Sequence, residues 1–217
     1  MMEEYLVPTQ AADAEFIQQR SRFIGHIFPV ENEEEALAYL KQMRETYWNA
    51  THNVYAYIIH GGATRYSDDS EPQGTAGMPV LDVLRKTGLE NVLCVVTRYF
   101  GGILLGAGGL VRAYTKSASL AVEAAGISKK QVWVAVDVPC PYAIYERLRR
   151  EVSDCGGQIT DTEFGAEVLI HAIVPRAAKE TLLAGIVDAS LGQTEGIVTG
   201  EEYRAFPVER QAADEHP

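Results

Sequence analysis

The stretch from Val92 to Gly126 restricts the fold more than any other. Val92–Thr97 is a continuous apolar run, the pattern of a strand in the middle of a sheet. Gly101, Gly102, Gly106, Gly108 and Gly109 follow it in close succession. Leu110, Tyr114, Ala118, Ala121, Val122 and Ala125 then recur at helical spacing, with Arg112, Lys116, Ser119 and Glu123 on the opposite side. Strand, glycine turn and long helix in that order require a helix laid against a sheet.

Elements of both kinds flank this stretch. Residues 23–29 read as a strand closed by Pro29. Residues 33–48 read as a helix, with Asn32 as N-cap and Glu33, Glu34 and Glu35 at the positive end of its dipole. The β-branched and aromatic run 53–60 reads as a strand, and residues 61–77, rich in Gly, Ser, Asp and Pro, read as a loop. Pro79 opens a short helix that Gly88 closes, with Thr75 as its cap. Beyond Lys130 the rhythm changes to strand 132–138, helix 142–155, strands 158–164 and 167–174, helix 176–191 and strand 194–203. That order, βαββαβ, is the split pattern of ferredoxin-like domains. The expectation is an α+β chain with a first domain at 1–129, a ferredoxin-like domain at 130–206 and a flexible tail at 207–217.

Composition narrows the setting. The 217 residues are 47% hydrophobic and 23% charged, the balance of a globular protein. No apolar run is long enough to span a bilayer, the acidic start Met1-Met2-Glu3-Glu4 is unlike a secretory signal, and a cytoplasmic, non-membrane protein is expected. Cys94, Cys140 and Cys155 are too few and too scattered for a disulfide framework or a zinc cage. The net charge of −11 is uneven. Residues 91–130 hold Arg98, Arg112, Lys116, Lys129 and Lys130 against Glu123 alone. An acidic chain thus carries one basic segment, and it coincides with the glycine turn.

That coincidence suggests an anion site, because backbone N–H groups and the helix dipole converge where a strand turns through glycines into a helix. Arg98 and Arg112, with Lys116 on the same face, would reinforce it. The alternative is that the glycines only allow a tight turn and close helix–strand packing. His52 reads as a structural histidine or as a phosphate or proton contact. Tyr99 and Phe100 read either as core residues or as platforms for bases. Asp68, Asp69 and Glu71 form a solvated acidic loop or, less simply, a Mg²⁺ site shared with phosphates. No catalytic constellation is evident: GxSxG, HExxH and a Walker A lysine are all missing.

Three segments carry a family resemblance: Ala50-Thr51-His52-Asn53-Val54-Tyr55-Ala56-Tyr57, the run from Tyr66 to Pro79 containing Glu71-Pro72-Gln73-Gly74-Thr75-Ala76-Gly77, and the run Thr97 to Tyr114 beginning Thr97-Arg98-Tyr99-Phe100-Gly101-Gly102. Together they resemble the paired signatures of the IMPACT/YigZ family across roughly residues 15–128. Two positions depart from its pattern, Ser70 where Gly is usual and Gln73 where Ser is common. The resemblance implies a first domain with the fold of ribosomal protein S5 domain 2, shared with domain IV of the translocation GTPase EF-G, and a second domain like EF-G domain V. It implies a regulator of translation whose partners are RNA, the ribosome or translation factors. Eukaryotic members contact Gcn1 through an added RWD domain; no such module precedes residue 15, so no Gcn1 contact is expected. Two other readings stand beside this one. The S5-like fold also houses GHMP small-molecule kinases, which would make the chain a phosphate-handling enzyme with nucleotide and Mg²⁺. Alternatively, the acidic ferredoxin-like domain docks a basic protein partner.

Overall fold

A computed structural model of the protein describes residues 4–208. In chain order the elements are β1 (Tyr5–Pro8), β2 (Ala12–Gln18), β3 (Ser21–Pro29), α1 (Glu33–Thr46), β4 (His52–Ile58), β5 (Thr64–Ser67), α2 (Gly77–Thr87), β6 (Val92–Tyr99) and α3 (Gly106–Ala125). They continue with β7 (Ile127–Cys140), α4 (Tyr145–Asp154), β8 (Gln158–Phe164), β9 (Val168–Pro175), α5 (Lys179–Ser190) and β10 (Ile197–Pro207). The chain is α+β, with antiparallel pairing throughout β2–β6 and between β7, β9 and β8. One compact unit holds Tyr5–Lys129 and takes the chain back at Ala205; the other holds Lys130–Arg204.

In the first unit the strands lie in the order β2-β3-β6-β4-β5. The apolar run of β6 is central because both of its faces are covered. Val92, Cys94 and Val96 point with Phe23, Ile27 and Val54 into a core roofed by α2 and α3, and Leu93 and Val95 meet Ala36, Leu40 and Met43 of α1 on the other face. All six residues of the α3 apolar stripe are buried, and Arg112, Lys116, Ser119 and Glu123 are exposed. Asn32 caps α1 as its position predicts, accepting from the Glu35 amide at 2.9 Å.

Several local expectations need correction. The first three strands include two, β1 and β2, that the pattern reading passes over, and the presumed loop 61–77 contains β5. Helix α2 starts at Gly77, not Pro79, and Thr75 does not cap it: its hydroxyl donates to the Pro72 carbonyl at 2.6 Å. The cap is Asp68, whose carboxylate accepts the amides of Gly74, Ala76 and Gly77 at 2.8–3.0 Å. Gly77 is required there because a Cβ would sit 2.6 Å from the Ser67 carbonyl oxygen, at the end of β5.

The second unit runs β7-α4-β8-β9-α5-β10, with β9 between β7 and β8 and β10 paired to β7. Helices α4 and α5 supply Leu148, Val152, Leu182 and Ile186 to a core with Val134, Val136, Ile170 and Ala172 of the sheet. The last strand extends to Pro207, the first residue of the expected tail; residues 209–217 lie outside the described residues. Among the described residues no helix is long and apolar enough to cross a membrane.

Candidate functional site

The end of β6 and the start of α3 enclose a cavity of about 380 Å³. Strand register explains its floor. Phe23 of β3, Arg98 of β6 and His52 of β4 lie in one cross-strand row, so their side chains share the sheet face under α2 and α3. Glu71 reaches the same spot from the β5–α2 connection, where Asp69 and Ser70 both adopt left-handed backbone (φ 44° and 69°). Ser70 thus adopts, without being glycine, a conformation that favours glycine. Phe100, Leu104, Leu105 and Leu110 wall the cavity, and Gly106 and Ala107 of α3 complete it.

Arg98 is a core residue, only 4% exposed. Its Nη1 donates to Glu71 Oε1 at 2.5 Å and its Nη2 to Ser21 Oγ at 3.4 Å. The guanidinium lies between the rings of Phe23 and Phe100, 5.4 and 5.5 Å from their centroids. Its Nε has no hydrogen-bond partner among the described residues. Its charge is thus spent on Glu71, which corrects the reading of Arg98 as an anion contact. The Tyr114 hydroxyl donates to the same Glu71 oxygen at 2.7 Å, and burial, with the nearby carboxylate, drives the Tyr114 phenol far above its ordinary pKa. The His52 Nδ1–H donates to the Asp69 carbonyl at 2.7 Å, leaving Nε2 3.7 Å from Glu71 Oε1.

The three carboxylates of the acidic loop do not converge on a metal. Asp68 is occupied by helix amides, Asp69 Oδ2 accepts the Asn53 amide at 2.6 Å, and Glu71 pairs with Arg98. Among the described residues no group of three His, Cys, Asp or Glu side chains could hold a metal ion. The Mg²⁺-nucleotide reading therefore loses the ligands it relied on.

The remaining candidates divide. Of the five glycines, Gly106 alone lines the cavity. Gly101 serves packing: a Cβ there would lie 2.0 Å from the carbonyl carbon of Arg20, in the β2–β3 turn. Gly102 lies in the turn and Gly108 in the first turn of α3, and Gly109 is buried beneath Leu105. Arg112 and Lys116 are exposed on α3 outside the cavity, with Lys116 Nζ 4.8 Å from the Phe16 ring. Tyr99 is partly buried and donates to Asn49 Oδ1, whereas Phe100 is 45% exposed at the cavity rim. Leu105, the residue before α3, makes no side-chain cap, and among the described residues no side-chain acceptor is seen on the first-turn amides. Sequence reasoning missed Ser21 and Tyr114 as polar parts of the site, and it named Asp68 as an acidic-loop or metal residue where the structure makes it a helix cap. Tyr114 left one signal, a lone hydroxyl in a stripe otherwise built from alanine and aliphatic residues.

The chain matches the family model described as the Impact N-terminal domain over residues 19–122, and a domain of unknown function, DUF1949, over residues 138–193. It is 36% identical to IMPACT family member YvyE of Bacillus subtilis, over 83% of each chain. It is 31% identical to IMPACT family member YigZ of Escherichia coli, over 88% of this chain and 96% of that one. Protein IMPACT of Oryctolagus cuniculus is 39% identical over 41% of this chain and 29% of its own. A solved structure described as a crystal structure of a hypothetical protein superposes with a TM-score of 0.58 at 29% identity, covering 92% of this chain and 99% of that one.

Proposed function

Because the chain belongs to the IMPACT family, we propose that it is a regulator linked to translation that contacts RNA or the ribosome at the glycine-turn end of its first unit. In this reading the first unit has the fold of ribosomal protein S5 domain 2 and the second is ferredoxin-like. The observation that carries it is the uncapped start of α3 opening into a cavity beside an exposed aromatic ring. Helix amides favour a phosphate, and Phe100 offers a face on which an unpaired base can stack. Arg112, exposed in the second turn of α3, adds a cation nearby.

Fluorescence anisotropy with short single-stranded RNA tests the reading. Salt-sensitive binding is expected, and Arg112→Ala should reduce the slope of log K against log salt by about 0.7, the value of one phosphate contact on single strands. No binding at low salt overturns the reading. An unchanged slope in Arg112→Ala removes the α3 face from it.

A further inference from the structure

The cavity floor carries two hydrogen-bond acceptors that the fold leaves unused. Glu71 Oε1 takes both Arg98 and Tyr114, and among the described residues no hydrogen bond reaches Glu71 Oε2. The Asp69 carbonyl can only accept, so the His52 ring donates from Nδ1, and in the neutral form of the ring Nε2 holds the lone pair. At 3.7 Å from Glu71 Oε1, that Nε2 makes no hydrogen bond to the carboxylate. Both side chains line the cavity, with Glu71 4% and His52 16% exposed. With Glu71 lining the cavity, a donor brought by a ligand can take the place of water at that free oxygen. The donor need not be cationic, because Arg98 already balances the Glu71 charge.

The rest of the cavity specifies the body attached to that donor. Phe100, Leu104 and Leu105 offer apolar surface, and the first amides of α3 suit an anion. The volume lies in the range of small-ligand pockets, roughly 300–1,000 Å³. We infer that the cavity captures a planar base bearing an exocyclic amino group, the NH₂ placed between Glu71 Oε2 and His52 Nε2, the ring against Phe100 and the attached phosphate at the start of α3. Adenine, cytosine and guanine supply that group. Uracil sets carbonyl oxygens on both sides of its single ring N–H, and these face the two acceptors unfavourably. The inference rests on the RNA-contact reading of this end of the unit, and the base can come from an unpaired position in RNA or from a free nucleotide.

The test compares a uridine eight-mer with the same eight-mer carrying one central adenosine or cytidine, and compares AMP and CMP with UMP, all against the full chain. The substituted oligonucleotides should bind about tenfold more tightly than the uridine eight-mer, as one well-placed base contact allows. Phe100→Ala should weaken adenosine- and cytidine-containing RNA about tenfold through lost stacking. Glu71→Gln can keep its carbonyl on Arg98 and Tyr114 while turning an NH₂ toward the cavity, so the amino-base advantage should vanish or reverse toward uridine. A merely structural role for Glu71 would weaken every ligand alike. Equal binding of all three eight-mers by the wild type overturns the inference and leaves RNA contact standing. Preference for AMP and CMP without RNA binding keeps the cavity assignment and overturns the RNA reading. Loss of all binding to every probe overturns both. Should Glu71→Gln fail to fold, the wild-type base preference and Phe100→Ala still decide.

Discussion

Replacing Arg98 by methionine separates a buried structural cation from a surface anion ligand. The Arg98 and Glu71 side chains are 5% and 4% exposed, with 2.5 Å between Nη1 and Oε1. Methionine keeps an apolar stem but removes the guanidinium that lies over Phe23 and Phe100, leaving the Glu71 carboxylate with Tyr114 as its remaining donor. Breaking a buried pair from one side costs about 3–5 kcal/mol, because the partner stays charged and desolvated. For a unit spanning Tyr5–Lys129, at about 3–4 °C per kcal/mol, this is a fall in Tm of roughly 9–20 °C. Thermal unfolding followed by circular dichroism measures it. Adding Glu71→Gln to Arg98→Met removes the stranded charge and should recover at least half of the loss, so the coupling in the double-mutant cycle is at least about 2 kcal/mol and larger by whatever Glu71→Gln costs alone. A surface phosphate ligand would behave otherwise, with stability changed by no more than about 0.5 kcal/mol. If Arg98→Met melts within about 2 °C of the wild type while losing RNA affinity, the account of the cavity floor is wrong.

Asp68→Ala should destabilise the first unit by about 2 kcal/mol in urea denaturation, the upper end for a lost helix cap, since three amides lose their acceptor together. In the second unit, the hydrogen bond that the His171 ring donates to Asp137, aided by Glu163, holds the imidazole above its ordinary pKa of 6.5. The native state therefore keeps its proton to higher pH than the unfolded chain. The resulting stabilisation is complete below about pH 6.5 and disappears as pH rises through the folded value. An NMR titration of His171 should show the raised midpoint, and Asp137→Asn should lower it.

How much of this was legible depends on how local each signal is. Helix α3 could be read because its stripe repeats six times over four turns, and the Asn32 cap because it acts on an amide three residues away. Strand β2 was missed because its inward positions are Ala12, Ala14 and Phe16, two of them too small to mark an alternation. Strand β5 has four residues and borrows its order from the edge of β4. Asp68 caps a helix that starts nine residues later, outside the reach of any capping pattern. The pairing of Glu71 with Arg98 spans 27 residues and depends on the row that sets Arg98 beside His52. The motifs marked the right segments, but they could not show which charged groups would neutralise each other. Arg98 therefore read as a contact and Glu71 as a metal ligand, when each is mainly the other's partner.

That neutralisation changes what the basic segment can do. Of the five cations in residues 91–130, Arg98 is committed to Glu71, and Lys129 and Lys130 lie beyond the far end of α3. Arg112 and Lys116 remain exposed on the helix, on a chain of net charge −11. Two phosphate contacts on single-stranded RNA give a salt slope near −1.4, or about a sevenfold loss of affinity for a fourfold rise in salt. Such a slope is shallow for a protein that works through the phosphate backbone. On the proposed RNA-contact reading, most of the affinity would come from the cavity, where a base exchanges water for Phe100 and for the free acceptors of Glu71 and His52. Weak salt dependence and strong base preference should appear together. A steep slope with no base preference would place the contact on another surface and leave the cavity a packing feature of the glycine turn.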